Sequence, residues 1–316
     1  MATGDYRWNG YTCRGAVRTG VSDAFGQRWA VMLIAHITDL HIGFDRGNPH
    51  ELNVRRLNMV VDQIRELRPR PDLLIVSGDL VEHSDDPHAY DHAHALVGRF
   101  EGPTLFAVGN HDGRAAFSAE LPQVPRDPNG FVQYEVEHGG VRFIVLDTLD
   151  EGRHGGAFCE ARAGWLAERL AERTDQPTLL MLHHPPLDTG IPWMSALPGE
   201  AWVERLRAVV EPARQVRAML CGHVHRPIAA TFAGKPLVVA PSTAPQIALD
   251  LEDVDPTYPD GRALIIADPP AYALHNWDGE RLLTHFEVAG PRHVLATYNS
   301  NLQPMMRAFL KERGTG

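Results

Sequence analysis

The chain has 316 residues, of which 44% are hydrophobic, so it can bury one large core or one core with a small appendage. Its formal net charge is −10 and it contains no basic run, which argues against a long nucleic acid as the partner. The three cysteines, Cys13, Cys159 and Cys221, are too few and too scattered for a disulfide framework or a thiolate zinc site.

The first thirty residues are rich in Gly, Arg and polar side chains and show no periodicity. We expect residues 1–30 to be a disordered extension, or to follow a start codon assigned upstream of a true beginning at Met32. Neither this segment nor any later window is apolar and long enough for a signal peptide or a membrane span. We therefore expect a cytoplasmic protein.

From Met32 onward, strand-like and helix-like segments alternate. Apolar runs predict strands over 32–37, 73–76 and 105–108. Helical spacing predicts a helix over 51–67, and the pair Asp86-Pro87 predicts the start of a second one. This βαβαβ order is typical of a parallel sheet with crossover helices.

The pattern then becomes typical of a mixed or antiparallel sheet. Residues 131–136 and 141–146 flank Gly139-Gly140, which predicts a hairpin. Further helices are predicted near 163–173 and 201–210, and further strands at 179–182, 216–220, 228–232 and 237–239. We expect an α/β (α+β) fold in which two packed, mixed sheets are covered by helices on their outer faces.

The tail has strand-like segments at 263–267 and 282–288 and a final helix-like segment at 302–311. We interpret residues 251–316 as a small cap or dimerisation element, so a homo-oligomer is expected. The predicted catalytic domain spans residues 31–250.

Seven potential metal ligands lie in five short blocks, and each block follows an apolar strand-like run. They are Asp39, His41, Asp79, Asn110, His183, His223 and His225. Because loops at strand ends can converge on one point, we expect these side chains to gather. Alone, Asp39 and His41 could be a polar loop pair, and Asp79 an ordinary turn residue. Together, the five blocks predict a two-metal hydrolase.

The chain has 17 histidines, so a histidine in any single block carries little weight. Outside the blocks, several histidines are expected to be surface or packing residues: His50, His88, His92, His94, His138, His154 and His285.

The blocks D-x-H, G-D, G-N-H-D, H-H-P-P and G-H-x-H resemble those of the calcineurin-like metallophosphoesterase superfamily. Within it, the chain is most similar to bacterial glycerophosphodiesterases and class III cyclic nucleotide phosphodiesterases, over about 32–288. The resemblance implies a four-layer αββα sandwich. It also implies two metal positions: position 1, held by Asp39, His41, Asp79 and His225, and position 2, held by Asp79, Asn110, His183 and His223.

The ligand types agree with this implication. The carboxylate of Asp79 can bridge two ions, and imidazoles favour iron, manganese, cobalt or zinc over calcium or magnesium. Two such ions lower the pKa of a bound water from about 15.7 toward roughly 7, so a metal-bridging hydroxide is the expected nucleophile.

His111 follows a predicted ligand directly in the sequence. We expect it to protonate the leaving group or to bind a phosphoryl oxygen, with a purely structural histidine as the alternative. Asp112 is expected to orient the His111 ring. His184 and Asp147 are expected to support the metal ligands from behind.

The substrate is less well specified than the metal centre. Residues near the blocks that could line its pocket, or lie on the loop surface, are Arg46, Arg114, Arg226, His83, Phe44 and Trp193. No basic cluster lies beside the blocks, which favours small-molecule phosphodiesters (glycerophosphodiesters, cyclic nucleotides or small organic diesters) over dianionic monoesters. The alternatives are a phosphomonoesterase or nucleotidase, a nuclease, which the net charge disfavours, and a metal-free scaffold, which the intact ligand set disfavours.

Overall fold

The computed structural model describes residues 32–313, together with the backbone of residues 7–8 and 11–12. The short strands β1 (Arg7–Trp8) and β2 (Tyr11–Thr12) pair antiparallel. The rest of the predicted extension, residues 1–30, lies outside the described residues, so the predictions for it stay predictions.

Strands and helices alternate along the region that follows. The strands are β3 (Met32–Ile37), β4 (Leu73–Val76), β5 (Thr104–Phe106), β6 (Tyr134–His138), β7 (Val141–Val145), β8 (Thr178–Met181), β9 (Val216–Cys221), β10 (Ile228–Phe232), β11 (Lys235–Val239), β12 (Gln246–Ile247), β13 (Ile265–Ile266), β14 (Ala271–Trp277) and β15 (Leu282–Val288). The helices are α1 (Leu52–Glu66), α2 (Pro87–Val97), α3 (Arg114–Glu120), α4 (Glu160–Glu172), α5 (Ala201–Val210) and α6 (Gln303–Glu312). Within the described residues, none of these helices has the length and apolar character needed to cross a membrane. The expected cytoplasmic location stays a prediction.

Two large sheets form the centre of the fold. The first has the strand order β15-β14-β3-β4-β5, in which β3, β4 and β5 are parallel and β14 and β15 are antiparallel to their neighbours. The second has the order β10-β11-β9-β8-β7-β6, with a parallel centre and one antiparallel strand at each edge. Both sheets are therefore mixed, as predicted.

The two sheets pack face to face, and helices cover their outer faces. Along β8, Leu179 and Met181 join the core cluster that contains the first sheet and α1, whereas Leu180 joins the cluster that contains α4 and α5. Strands that are buried on both faces carry continuous apolar runs, which is why they were visible in the sequence. The predicted four-layer αββα architecture is confirmed.

Local sequence signals explain two of the boundaries. The carboxylate of Asp86 accepts a hydrogen bond from the backbone N–H of Ala89 at 3.2 Å, and Pro87 is the first residue of α2. Gly139 and Gly140 have φ values of 59° and 80°, as a type I′ turn requires, and they connect the hairpin strands β6 and β7.

The tail contributes a strand that the sequence analysis missed. β14 lies between β15 and β3, where Ala273 is opposite His36. His275 and Asn276 interrupt the apolar pattern of this strand, but His275 is buried and its Nε2 lies 3.1 Å from Nδ1 of His36. Residues 271–288 are thus part of the first sheet, while α6 has no buried residue. The domain division at residue 250 and the dimerisation role stay predictions.

Candidate metal centre

The five blocks lie at the carboxyl ends of parallel strands from both sheets. Asp39 follows β3, Asp79 follows β4 and Asn110 follows β5 in the first sheet. His183 follows β8 and His223 follows β9 in the second sheet. Carboxyl ends of parallel strands share one edge, so the five loops converge where the two sheets meet.

Four of the predicted ligands surround position 1. Oδ1 of Asp39 lies 3.3 Å from Nε2 of His225, and this nitrogen lies 3.1 Å from Nε2 of His41. Nε2 of His41 is also 3.6 Å from Oδ2 of Asp79. The structure therefore brings together the four side chains that the resemblance assigned to this position.

The other predicted ligands surround position 2. Nε2 of His183 lies 3.2 Å from Oδ2 of Asp79 and 3.2 Å from Oδ1 of Asn110. The same amide oxygen of Asn110 is 3.0 Å from Nδ1 of His223. Asp79 is thus shared by both groups, as a bridging carboxylate must be.

Three of the imidazoles are oriented by hydrogen-bond acceptors behind them. Nδ1 of His41 donates to the carboxylate of Glu82 at 2.8 Å. Nδ1 of His183 and Nδ1 of His225 each donate to a backbone carbonyl oxygen at 2.8 Å. Because Nδ1 makes this hydrogen bond, Nε2 faces the centre and is the nitrogen that would bind a metal ion on losing its own proton.

Charge and burial act against each other inside the centre. Burial opposes ionisation of Asp39 and Asp79, yet the imidazoles of His225 and His183 hold the pKa of these carboxylates below the ordinary value. Burial likewise opposes the charge of His183, but Asp79 raises its pKa to about 9. Burial and adjacent histidines lower the pKa of His223 well below its usual range. The two carboxylates are therefore anionic and attract positive charge.

The arrangement fits a pair of metal ions. Oδ1 of Asp39 is buried and has no hydrogen-bond partner among the described residues. The potential ligand atoms of Asp39, His41 and His225 lie within 4.8 Å of one another, and so do those of Asp39, Asp79 and His183. A set of nitrogen and oxygen donors without thiolate suits transition-metal ions at an open site.

Five of the seven residues have a left-handed backbone, with φ between 47° and 73°: Asp39, His41, Asp79, His223 and His225. Side chains other than glycine rarely adopt this conformation. The loops are also in close contact, because a Cβ added to Gly109 would meet the carboxylate and the backbone nitrogen of Asp79. The loop backbones are thus bent specifically to aim the ligand side chains.

His111 lies at the centre, whereas Asp112 does not have the predicted contact with it. Nδ1 of His111 donates to the backbone oxygen of Glu82 at 3.0 Å, and its ring lies 4.6 Å from that of His41. The carboxylate of Asp112 instead accepts hydrogen bonds from the Gly109 N–H, the Leu80 N–H and the Tyr90 hydroxyl. The prediction that Asp112 orients the His111 ring is therefore wrong, since Glu82 does so.

Asp112 is a buried carboxylate that supports the backbone of its own loop. Burial and the charge of Asp79 raise the pKa of Asp112 to about 7. Its acceptor bonds fix the loop that carries Asn110, so its influence on the centre passes through the backbone. A catalytic role for Asp112 stays a prediction.

The predicted supporting residues have different environments. The ring of His184 lies 4.8 Å from that of His183 and 4.7 Å from that of His223, so it packs directly against two of the predicted ligands. Asp147 accepts from Arg114 at 2.7 Å and organises a neighbouring loop, rather than binding a ligand. Cys221 is buried in the second core cluster, where it packs as a small apolar side chain.

Two polar residues at the centre were missed from the sequence. Glu82 follows Asp79 by three positions, and this carboxylate in the same loop was the available signal. His154 was expected to be a surface or packing residue, but its ring lies 4.7 Å from that of His223 and it lines the cavity above the centre. His50 lines the same cavity. Nothing in the local sequence of His154 or His50 signals this placement.

The cavity above the centre has a volume of about 500 Å³. Its apolar wall consists of Phe44, Leu52, Trp193, Met194, Ile247 and Ile265. Among the described residues that line it, Arg55 is the one Lys or Arg side chain, and Asp45, Glu51 and Glu82 are also present. Of the pocket candidates, Phe44 and Trp193 line this cavity.

The remaining pocket candidates have contacts elsewhere or no place in the cavity lining. Arg46 pairs with Asp85 at 2.6 Å, and Arg114 pairs with Asp147. Arg226 donates to the backbone oxygen of Ile247 at 3.1 Å.

Comparison with known sequences identifies similar bacterial proteins. The chain is 31% identical over 276 residues to a glycerophosphodiester phosphodiesterase of Enterobacter lignolyticus, which covers 84% of this chain and 92% of that protein. It is 34% identical over 222 residues to a cAMP/cGMP dual specificity phosphodiesterase of Mycobacterium tuberculosis, which covers 67% of each.

The fold is similar to that of solved phosphatase structures. A dimetal phosphatase from Danio rerio superimposes with a TM-score of 0.54 and 17% sequence identity, covering 80% of this chain and 98% of that one. The family model for calcineurin-like phosphoesterases matches residues 32–227, the region that contains all seven predicted ligands. Together with the two sheets and the converging loops, this match shows that the chain belongs to the calcineurin-like phosphoesterase family.

Proposed function

We propose that this protein hydrolyses small-molecule phosphodiesters at a centre that holds two metal ions of iron, manganese, cobalt or zinc. Position 1 would be held by Asp39, His41, Asp79 and His225, and position 2 by Asp79, Asn110, His183 and His223. Family membership and the convergence of these side chains support the proposal. The related bacterial proteins named for glycerophosphodiesters and for cyclic nucleotides both act on diesters.

The charge of the cavity carries the choice of substrate class. A phosphomonoester is a dianion near neutral pH, whereas a diester has one negative charge. Among the described residues that line the cavity, one is a guanidinium, Arg55, and three are carboxylates, Asp45, Glu51 and Glu82, apart from the shared Asp79. An anionic oxygen beyond the reach of the two ions would therefore find little positive charge, whereas the organic groups of a diester would meet the apolar wall.

The chain's own residues prepare the reaction in two ways. When bound, the two ions would lower the pKa of water and compensate charge on the phosphoryl oxygens. The Nδ1–H of His111 is held by the backbone oxygen of Glu82, which leaves Nε2 of the same ring free to carry a proton. Since His111 lines the cavity, Nε2 can deliver that proton to the departing alkoxide.

The experiment that tests the function combines metal content with turnover. The protein is purified from metal-defined medium, treated with chelator and reconstituted with manganese, iron, cobalt or zinc. Hydrolysis is then measured on a bis-aryl diester, the matching aryl monoester, a glycerophosphodiester and cyclic AMP. His183→Gln, which removes a ligand of position 2, is the matched inactive control.

The expected result is two ions per chain and a kcat/KM on the diester that exceeds that on the monoester by at least about tenfold, equivalent to about 1.4 kcal/mol of transition-state binding. A higher kcat/KM on the monoester would instead identify a phosphomonoesterase. Binding of long DNA that weakens steeply with salt would support the nuclease alternative. A chain that takes up no metal would support the scaffold alternative.

A further inference from the structure

Helix α1 places two buried polar side chains on a face that is otherwise apolar. Asn53 and Arg56 are each 4% exposed and lie among Val54, Leu57 and Val60. Burying a guanidinium is unfavourable unless its N–H groups find acceptors. Arg56 must therefore have a specific set of partners.

Those partners are backbone oxygens of one loop. Nε of Arg56 donates to the carbonyl of Thr243 at 2.7 Å, and one terminal nitrogen donates to the carbonyl of Ala244 at 3.0 Å. Asn53, one turn earlier, donates through Nδ2 to the carbonyl of His41 at 2.8 Å. Both polar contacts of this buried face thus reach backbone that adjoins the metal centre.

The loop held by Arg56 contacts two ligands of position 1. The backbone N–H of Ala244 donates to the carbonyl of Asp39 at 3.1 Å. The next residue, Pro245, accepts the hydrogen bond from Nδ1 of His225 at 2.8 Å. A continuous path of hydrogen bonds and one peptide unit therefore leads from Arg56 to Asp39 and His225.

Position 2 is supported by a different part of the fold. Nδ1 of His183 donates to the backbone oxygen of Ser77, at the end of β4. Asn110 and His223 contact each other directly, and the ring of His184 packs beside them. In the described part of the chain no hydrogen bond from α1 reaches His183 or Asn110, and His223 is connected to that side through its backbone N–H, which donates to the Asp39 carboxylate at 3.0 Å.

We propose that Arg56 is a positioning residue that sets the metal affinity of position 1 and leaves that of position 2 unchanged. The role rests on the metal centre of the proposed function. The guanidinium fixes the 243–245 backbone, so the Pro245 oxygen keeps Nδ1 of His225 protonated and Nε2 directed at the ion. Without the guanidinium, the Thr243 carbonyl loses its Arg56 donor and the Ala244 carbonyl keeps the Ser242 hydroxyl at 2.7 Å, so the loop that orients His225 is held less firmly.

The test measures metal affinity at each position separately. His183→Gln disables position 2 and reports on position 1, whereas His41→Gln disables position 1 and reports on position 2. Arg56→Met is added to each variant, and the dissociation constant for Co²⁺ or Mn²⁺ is measured by competition with a chromophoric chelator. We expect binding at position 1 to weaken roughly 10 to 100-fold, as for other residues that orient metal ligands. Binding at position 2 should change less than about twofold.

Two further variants separate positioning from general stability. Arg142 is also buried and donates to the backbone oxygen of Arg169 at 2.7 Å, but it lies on β7, the strand next to the edge strand β6 of the second sheet. Arg142→Met should leave both dissociation constants unchanged. Arg56→Lys keeps the positive charge but cannot donate to both carbonyls as the guanidinium does. It should therefore lower the metal affinity of position 1 less than Arg56→Met does, and it should likewise leave that of position 2 unchanged. If thermal unfolding shows that Arg56→Met is not folded, Arg56→Lys decides the question.

Equal weakening at both positions, or no weakening at position 1, would overturn the role of Arg56. The parent variants test the underlying centre independently. If neither His183→Gln nor His41→Gln binds an ion while the unaltered chain also binds none, the metal centre itself is absent and the role of Arg56 is excluded with it.

Discussion

Replacement of Glu82 should weaken metal binding at position 1. Its carboxylate accepts the Nδ1–H of His41 at 2.8 Å and lies 3.7 Å from Nδ1 of His111. Although burial opposes ionisation, the hydrogen bond and charge of His41 hold the pKa of Glu82 below its ordinary value. Glu82 is thus an anion behind a ligand, which makes the imidazole of His41 a better donor to a cation.

The magnitude follows from the two functions of this carboxylate. Glu82→Ala removes both the charge and the acceptor, so we expect a roughly 10 to 100-fold loss of metal affinity, the usual effect of removing such a partner. This corresponds to about 1.4 to 2.7 kcal/mol of binding free energy. Glu82→Gln keeps an acceptor oxygen of similar reach without the charge, so its loss should lie between that of Glu82→Ala and zero.

The assay is the dissociation constant for Mn²⁺ or Co²⁺ in the His183→Gln variant, in which position 1 binds alone. The backbone oxygen that holds His111 persists in both Glu82 variants, so a loss reports on His41. Asp85→Asn is the matched control, because the Asp85 side chain is 73% exposed and pairs with Arg46, away from the histidines of the centre. An affinity for Glu82→Ala within about twofold of the parent would refute the reasoning.

Three other outcomes are expected. Asp79→Ala should lose metal at both positions, whereas Asp39→Ala should keep the ion at position 2; metal analysis that finds two ions in Asp79→Ala would contradict a bridging role. His111→Ala should keep both ions but lose kcat most on esters with poor leaving groups, and an equal loss across leaving groups would exclude proton delivery. Burial lowers the pKa of His275 to about 3, below its unfolded value near 6.5. Between these two values the unfolded chain binds the proton more tightly than the folded one. The free energy of unfolding is therefore unaffected by this group above pH 6.5 and decreases as the pH falls toward 3. Urea unfolding of His275→Gln should therefore show a weaker decline of stability between pH 7 and 4.5 than the unaltered chain, by up to about 1.36 kcal/mol per pH unit.

Most of the fold could be predicted because buried strands, helix starts and turns each have a recognisable local sequence pattern. The parallel strands β4 and β8 are buried on both faces, so they appear as unbroken apolar runs. Asp86 with Pro87 and the pair Gly139-Gly140 encode a helix start and a turn through their own backbone chemistry. β14 was not predicted because His275 interrupts its apolar pattern, and the partners that allow this histidine to be buried are distant in sequence: His36 in β3 and Thr284 in β15.

The same distinction applies to the centre. The candidate ligands could be found because each lies two to four residues after the end of a strand, and carboxyl ends of parallel strands meet at one edge. Glu82 and His154 could not be assigned to the centre from the sequence. Glu82 belongs there because it contacts His41, and His154 because it contacts His223, and both contacts join residues that are far apart in the chain. Asp112 was misjudged for the opposite reason: adjacency to His111 in sequence suggested a contact, but the turn directs its carboxylate to the backbone of Leu80 and Gly109.

The left-handed backbone of the proposed ligands has a cost in folding free energy. Five non-glycine residues with φ from 47° to 73° cost roughly 1 to 3 kcal/mol each, a sum comparable with the total stability of an ordinary domain. The loops persist because their hydrogen bonds over-determine them: the N–H of His41 donates to the Asp79 carbonyl at 3.0 Å, and the N–H of His223 donates to the Asp39 carboxylate at 3.0 Å. A conformation of this cost is retained where it aims side chains, and four of these five residues are the proposed ligands of position 1. Three of these proposed ligands, Asp39, His41 and His225, are also the ones that α1 supports: Asn53 holds the His41 carbonyl, and the loop held by Arg56 contacts Asp39 and His225. Loss of Arg56 should therefore release backbone that is strained, and so change the occupancy of position 1.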